Sequence, residues 1–262
     1  MPKIRVADIE INYQEEGQGF PLVLVHGLNG DLTGWALVSP YFSREYRVIA
    51  PDVRGHGGTS KPDQPYSVKG FSQDLYGFMR GLDLSRVHLL GLSMGGAIAQ
   101  QFALDHPEMI RSLILVSTFS AIEGRAQQAF LCLKDALKRG GYPAFFDEVV
   151  ALAFTPEYIA SHPGPIAELK EKRIRINSPA AIGRAADACK AFNVKKEISR
   201  IAAPTLVVSG REDVFTPIDL AQHIHESIRG SEWKIIDGVG HNVYIEKPAE
   251  LAGAVLDFLK RH

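Results

Sequence analysis

Short runs of apolar residues recur along the chain and predict a buried β-sheet. Each run is apolar along most of its length, which is typical of parallel strands covered on both faces of a sheet. The first segment, residues 4–11, instead alternates apolar with polar residues, so we expect an antiparallel edge strand that is exposed on one face. The apolar runs cover residues 21–25, 46–50, 87–90, 112–116, 204–208 and 232–236.

Helical patterns separate these runs and predict an α/β fold. The predicted helices cover residues 70–82, 94–105 and 248–260. Alternation of strand and helix implies right-handed crossovers. Residues 120–200 contain no strand-like run and are punctuated by Pro and Gly. We therefore predict one core, residues 1–119 and 201–262, interrupted by a helical lid at 120–200 that covers the carboxyl ends of the strands, where open sheets bind ligands.

Composition and charge restrict the classes of function. The chain has 262 residues, 45% hydrophobic and 23% charged, which is typical of a water-soluble domain with one sizeable core. The formal net charge is −1, and the alternating charges at 170–173 are interpreted as a solvated helix face, so neither nucleic acid nor a membrane is an expected partner. Two distant cysteines argue against disulfides and Cys-based metal sites. No targeting segment is recognisable, so we expect a cytoplasmic location.

The strongest chemical signal is the G-x-S-x-G sequence at residues 91–95, in which Ser93 follows an apolar run and precedes a helical stretch. That strand-to-helix context is what a nucleophile elbow requires. A serine hydroxyl is a weak nucleophile at neutral pH, so it must be held on a rigid, exposed turn beside a base. Ser93 is therefore the candidate nucleophile, although a glycine-rich turn with an incidental serine has the same pattern.

Two backbone N–H groups are candidates for an oxyanion hole. Ser93 lies at the amino end of a helical stretch, where unpaired N–H groups favour negative charge, so the Met94 amide is a natural donor. We expect a second donor because each contributes about 3–4 kcal/mol to the transition state. The segment 26–30, His-Gly-Leu-Asn-Gly, follows a predicted strand and offers the N–H of Leu28. His26 is interpreted as a residue that packs the loop.

The candidate acid and base follow the last two predicted strands. Glu212 and Asp213 both lie in the loop after the run at 204–208, and we favour Asp213 from its position in that loop; either could instead cap the next helix. His241 lies in the loop after the run at 232–236 and is the candidate base, with the acid holding its far nitrogen. Nucleophile, acid and base occur in the chain order expected of a fold with a nucleophile elbow.

Taken together, these motifs resemble the α/β-hydrolase superfamily over essentially the whole chain. The matching segments are 26–27, 52–57, 91–95, 210–213 and 240–241. The resemblance implies a mostly parallel eight-stranded sheet with helices on both faces, a lid after strand 6, and oxyanion roles for Leu28 and Met94. It also implies structural roles for Arg54 and His56. Ser93 argues against dehalogenases and epoxide hydrolases of this fold, which carry an aspartate at the elbow.

Among serine members, the sequence at 91–96 looks most like 3-oxoadipate enol-lactonases and small carboxylesterases. This resemblance implies ester or lactone cleavage through a Ser-His-Asp acyl-enzyme, with no cofactor and no metal. Meta-cleavage carbon–carbon hydrolases usually carry Asn before the nucleophile and Trp after the histidine, where this chain has Leu92 and Asn242. Carbon–carbon cleavage stays open, as do perhydrolysis, cyanohydrin lysis and a slow-turnover ligand sensor that recruits a partner by lid movement.

The predicted lid supplies most candidate substrate contacts. Its phenylalanines are expected to form an apolar wall for a small or medium hydrophobic acyl or alcohol group, although the same rings could simply pack the lid helices together. Asn242, next to His241, is a further candidate contact. The expected partner is a small-molecule ester or lactone, and the sequence indicates no oligomeric state. The candidate phenylalanines are Phe130, Phe145, Phe146, Phe154 and Phe192.

Overall fold

The computed structural model describes residues 1–262, which form an eight-stranded sheet with helices around it. The strands are β1 (Lys3–Val6), β2 (Ile9–Glu16), β3 (Phe20–Val25), β4 (Tyr46–Pro51), β5 (Val87–Leu92), β6 (Ile110–Val116), β7 (Thr205–Gly210) and β8 (Glu232–Ile236). Their order across the sheet is β1-β2-β4-β3-β5-β6-β7-β8. The pairs β1–β2 and β2–β4 are antiparallel and all others are parallel. The predicted α/β fold with a mostly parallel eight-stranded sheet is confirmed.

The amino-terminal edge of the sheet differs from the single strand expected at residues 4–11. Residues 7–8 form a turn, and β1 and β2 pair as an antiparallel hairpin in which Val6 lies opposite Ile9. Ala7 has a φ of 48°, the left-handed conformation that tight hairpin turns use. The alternation of apolar and polar residues continues through this turn, so the pattern gives no sign that the chain reverses.

Helices cover both faces of the sheet. They are α1 (Ser39–Phe42), α2 (Val68–Gly81), α3 (Met94–Asp105), α4 (Gly124–Ala153), α5 (Pro156–Ser161), α6 (Pro163–Ile176), α7 (Pro179–Ala191), α8 (Ile218–Ser227), α9 (Val243–Glu246) and α10 (Pro248–Leu259). Successive residues of β3 belong to different apolar clusters: Val23 and Val25 pack with α2 and α3, whereas Leu22 and Leu24 pack with α1 and α10. Burial on both faces explains why the central strands are almost wholly apolar. None of the helices combines the length and the apolar character needed to span a membrane.

Between β6 and β7 the chain forms the four helices α4–α7, which we call the helical insertion (residues 120–200). Its longest helix, α4, is broken at Gly141, where φ is 65° and ψ is −158°, and Pro143 lies two residues after the break. Phe130, Leu133 and Ile182 join the insertion to the larger apolar cluster of the sheet. The insertion therefore shares its core with the sheet.

Candidate active site

Ser93 lies at the sharp turn between β5 and α3. Its backbone has a φ of 54° and a ψ of −118°, a conformation that residues with side chains rarely adopt and that marks stored strain at functional turns. A Cβ on Gly91 would overlap the carbonyl of Gly95, and a Cβ on Gly95 would overlap the carbonyl of Val25. Thr118 donates its hydroxyl hydrogen to the Ser93 carbonyl over 2.6 Å. Close backbone packing and this hydrogen bond hold the strained turn in place.

Ser93 lines a cavity of about 50 Å³ that also receives the loop after β3. A Cβ on Gly27 would lie only 3.1 Å from the Cβ of Ser93, so the backbone of this loop packs against the serine side chain. Leu28, the next residue, lines the cavity. Met94 begins α3, where the first N–H groups of a helix have no partner within the helix. Both backbone segments named as oxyanion donors therefore adjoin Ser93, and their roles as donors stay a prediction.

His241 and Asp213 come together in the loops that follow β8 and β7. Nδ1 of His241 lies 2.9 Å from Oδ2 of Asp213. The other oxygen, Oδ1, accepts the backbone N–H groups of Phe215 and Thr216 over 2.9 and 2.8 Å, and the Thr216 hydroxyl donates to Oδ2 over 2.7 Å. Because the carboxylate engages Nδ1, the Nε2 atom of His241 is free to face another group. Ser93 and His241 line the same cavity.

Glu212 and His26 could also serve as acid and base by residue type, but both form other bonds. The carboxylate of Glu212 accepts the N–H of Val239 over 2.8 Å and so joins the two loops instead of meeting the histidine. Nε2 of His26 accepts the N–H of Val53 over 3.0 Å, and its Nδ1 contacts the Gly27 carbonyl at 2.8 Å. Burial lowers the pKa of His26 although Asp52 opposes the shift. With both nitrogens engaged, His26 is neutral and holds the loop.

The segment 52–57 lies beneath these loops and outside the cavity lining. Asp52 accepts the N–H of Leu32 over 2.7 Å. Nε of Arg54 donates to Asp74 over 2.7 Å, and a second nitrogen contacts Asp8 at 2.7 Å. Burial lowers the pKa of His56 to about 3, so its ring is neutral. These contacts join the loop to neighbouring elements and leave no polar group of Arg54 directed at the cavity.

Only two of the residues expected to contact substrate line the cavity. They are Phe154, directly after α4, and Asn242, next to His241. The other four, Phe130, Phe145, Phe146 and Phe192, lie outside the lining and are more than nine-tenths buried in the larger apolar cluster. Phe130 and Phe192 pack edge-on against Phe119. Their packing agrees with the alternative that these rings hold the lid helices together, and contact between them and a substrate stays a prediction.

Several lining residues belong to no motif, and two of them are polar. Arg173 has a side chain only 5% exposed and pairs with Asp31, which corrects the interpretation of 170–173 as a solvated face. Burial alone would raise the pKa of Asp31, but the charge of Arg173 and the Thr33 hydrogen bond hold that pKa below its usual range. Burial raises the pKa of the Tyr244 hydroxyl to about 12, so it carries its proton at neutral pH. The apolar lining residues without a motif are Val149, Ala153, Leu169, Phe215 and Ile245.

The cavity brings together a hydroxyl group and an imidazole oriented by a carboxylate, and the turn that carries the hydroxyl leads directly into the first N–H groups of a helix. These are the groups that acyl transfer to a serine requires. No group of three or more His, Cys, Asp or Glu side chains lies close enough together to hold a metal ion.

Comparison with known proteins agrees with this architecture. A family model described as alpha/beta hydrolase fold matches residues 21–248. The enol-lactonase from Burkholderia xenovorans LB400 superposes with a TM-score of 0.92 at 25% sequence identity, covering 99% of this chain and 100% of that one. The resemblance predicted from the motifs is confirmed.

Two curated relatives carry different hydrolase names. The 2-hydroxy-6-oxo-2,4-heptadienoate hydrolase of Pseudomonas putida is 31% identical over 272 residues, covering 96% of this chain and 93% of the relative. The pyrrolizixenacetamide deacetylase of Xenorhabdus hominickii is 28% identical over 262 residues, covering 99% of this chain and 98% of the relative. With the family model matching most of its length, the chain belongs to the α/β-hydrolase family.

Proposed function

We propose that this protein is a serine hydrolase that cleaves a carboxylic ester or a lactone. The observation that carries the proposal is the strained Ser93 turn, at the start of a helix, on the same cavity as a histidine whose Nδ1 lies 2.9 Å from a buried carboxylate. A strained turn persists only where the surrounding structure holds it, and such turns concentrate at functional sites. The similarity to an enol-lactonase over the whole chain supports the same chemistry.

The proposed reaction has two steps. The Ser93 oxygen attacks the substrate carbonyl carbon while Nε2 of His241 takes the hydroxyl proton, and the carbonyl electrons move onto oxygen. The N–H groups of Leu28 and Met94 stabilise that oxyanion. The tetrahedral intermediate then expels the alcohol oxygen, which receives the proton from His241, and leaves an acyl-enzyme. A water molecule, deprotonated by His241, repeats the attack and releases the acid and free Ser93.

The lining of the cavity supports an apolar substrate of small to medium size. The cavity itself is small, but a second cavity of about 220 Å³ adjoins it. The two share the lining residues Phe154, Leu169, Arg173 and Ile245. The second cavity is otherwise lined mainly by apolar side chains of α5, α6 and the segment 32–37. An acyl or alcohol group longer than acetyl would extend from Ser93 into this space, past Phe154 and Leu169.

A second candidate is hydrolysis of a carbon–carbon bond. It is favoured by the relative from Pseudomonas putida, whose name describes an oxo-dienoate substrate. Leu92 and Asn242 argue against it, because they stand where carbon–carbon hydrolases usually carry Asn and Trp. The two candidate reactions use the same nucleophile and base, so they can be distinguished only by testing substrates of each class.

The first experiment measures steady-state hydrolysis of p-nitrophenyl esters from acetyl to dodecanoyl. Ser93→Ala is expected to lower kcat by at least about 10⁴-fold, because removal of a triad nucleophile leaves only oxyanion and binding effects. Ser72→Ala is the matched control, since Ser72 is a buried serine of α2 outside the cavity, and its activity should stay at the wild-type level.

Each outcome of this experiment decides between the candidates. Sustained turnover that depends on Ser93 supports the esterase and measures its acyl pocket. Turnover that survives Ser93→Ala overturns the proposed nucleophile. One equivalent of product followed by arrest indicates a ligand sensor. If no ester is hydrolysed but a 2-hydroxy-6-oxo-dienoate is cleaved in a Ser93-dependent reaction, the protein is a carbon–carbon hydrolase.

A further inference from the structure

Residues 27–33, the loop after β3, are bonded to the helical insertion by buried side chains. The hydroxyl of Tyr142 in α4 contacts Oδ1 of Asn29. Asn177, directly after α6, donates from Nδ2 to the Tyr142 oxygen over 2.9 Å. All three side chains are more than nine-tenths buried. Tyr142 is 113 residues from Asn29 along the chain, and Asn177 is 148, so the contact joins two distant parts of the fold.

Local geometry aims these residues at one another. The break in α4 at Gly141 comes immediately before Tyr142 and redirects the chain there. Asn177 follows the last turn of α6 with an extended backbone. Asn29 has a φ of 66°, a left-handed conformation that a short polar residue tolerates better than most. Burial raises the pKa of Tyr142 to about 12, so its hydroxyl keeps the proton that it donates to Asn29.

Two further polar contacts join the helical insertion to the same loop. Asp31 forms its buried ion pair with Arg173 of α6, and the Thr33 hydroxyl contacts the ammonium group of Lys172. The other side of the loop packs on Ser93 through Gly27. The loop is therefore held between the serine turn and the insertion, and Leu28 lies between the two points of attachment.

We propose that Tyr142 and Asn177 are positioning residues that hold the backbone N–H of Leu28 in place to receive the oxyanion. The proposal rests on the proposed function, because it assigns these residues to the oxyanion hole of that reaction. Neither side chain lines the cavity, so they act through Asn29. An oxyanion donor acts only if it is already in place when charge develops, and the buried hydrogen bonds supply that rigidity.

The kinetic test compares Tyr142→Phe with Tyr66→Phe. Both changes delete one buried tyrosine hydroxyl, but the Tyr66 hydroxyl donates to the Pro62 carbonyl over 2.9 Å, away from the cavity. We expect Tyr142→Phe to lower kcat for an aryl ester about tenfold with KM changed less than about twofold, because the lost interaction serves the transition state. Tyr66→Phe should keep wild-type values. Equal kcat in the two variants overturns the proposal.

A matched thionoester separates positioning from general damage. Its sulfur is a weaker hydrogen-bond acceptor than oxygen, so it gains less from a well-placed N–H. Tyr142→Phe should therefore reduce the ratio of ester to thionoester kcat/KM about tenfold, whereas partial unfolding would lower both rates equally. Adding Asn177→Ala to Tyr142→Phe should change the ratio little further, since both residues belong to one network. An unchanged ratio in Tyr142→Phe overturns the proposal.

Hydrogen exchange gives a readout that does not depend on turnover. Amides in peptides that cover residues 26–33 should exchange at least about tenfold faster in Tyr142→Phe than in Tyr66→Phe, with other peptides unchanged. If that loop keeps wild-type protection, the positioning proposal fails even when Ser93-dependent esterase activity is present. If the loop loses protection but wild-type protein cleaves neither an ester nor a lactone, the loop contacts stand and the proposed function fails.

Discussion

Two helices beside the candidate site, α3 and α6, are held in opposite ways. In α3, nine of twelve residues are buried. In α6, which has fourteen residues, only Arg173 is buried. Packing of α3 is spread over many apolar contacts that need no particular direction. Helix α6 contributes the half-buried Ile166 and Leu169 to the apolar cluster and is held in addition by one buried ion pair and a few hydrogen bonds. Those polar contacts are directional and leave a costly unpaired group when one partner is removed.

This difference divides the site into two kinds of component. The turn that carries Ser93 belongs to the part held by dense packing, so single polar changes elsewhere should not move it. The residues that reach the 27–33 loop from α6 belong to the part held by polar contacts. We therefore expect shape changes to damage the Ser93 side of the cavity most, and charge changes to damage the insertion side most.

The largest effect is expected from a methyl group added to α3. Gly95→Ala should lower the free energy of unfolding by more than about 3 kcal/mol, because its Cβ would overlap the backbone carbonyl of Val25. Gly164→Ala in α6 is the matched control, since nothing lies within 4 Å of its added Cβ, and it should be neutral or stabilising by up to about 0.5 kcal/mol. Urea unfolding measures both. Equal effects would contradict the contrast between the helices.

Charge removal in α6 should have the next largest effect. Arg173→Met leaves the Asp31 carboxylate buried without its partner and should cost about 3 kcal/mol at neutral pH. Adding Asp31→Asn should recover more than half of that loss, because no charge then remains buried. Urea unfolding of the two single variants and the double variant measures the coupling. Additive losses would mean that the ion pair does not hold the helix.

The effect of Arg173→Met has a defined pH dependence. In the wild-type protein the pKa of Asp31 is below its usual range, so the pair contributes stability above about pH 4 and loses it as pH falls through the folded pKa. Without Arg173, burial raises this pKa, and protonation then relieves the buried charge. The difference between wild type and variant should therefore shrink from about pH 7 to about pH 4.5.

A smaller effect should appear in the core as pH falls. His88 is buried in β5, with Nδ1 2.7 Å from the Ser112 hydroxyl, and burial lowers its pKa to about 4. The unfolded ring titrates near about pH 6.5, so its contribution is complete above that pH and decreases as pH falls towards the folded pKa. Between about pH 6.5 and about pH 5 the loss is about 2 kcal/mol.

His88→Asn tests this directly, because asparagine cannot titrate but can still bond to Ser112. Its stability should fall about 2 kcal/mol less than that of wild type between about pH 7 and about pH 5. If wild type and His88→Asn lose the same stability over this range, His88 does not cause the acid sensitivity of the core.

The helices and strands of the core could largely be predicted from local sequence patterns. The segment predicted as helix at 94–105 and the strand predicted at 232–236 coincide with α3 and β8. Burial on both faces demands apolar residues at nearly every position of a central strand such as β5, so local sequence indicates these strands well. The hairpin at Ala7 was missed for the opposite reason: its turn interrupts neither the alternation of residue types nor the polarity of the segment.

The candidate site was likewise predictable from the sequence only in part. Ser93, Asp213 and His241 each follow a strand, so the sequence predicts that they share one edge of the sheet, and the structure brings all three together there. Their catalytic roles stay proposals. Phe130 and Phe146 show the limit of composition, because an aromatic residue in a helical segment can face the cavity or the core and the segment alone does not decide which.

The sequence by itself determined the fold, the strand ends and the residue types that meet at the cavity, because backbone periodicity and turn chemistry act between near neighbours. Only the tertiary structure decided that Arg173 is buried against Asp31 and that Tyr142 reaches Asn29. These pairs are more than a hundred residues apart along the chain. Such partners are chosen by the packing of whole elements, which no local pattern records.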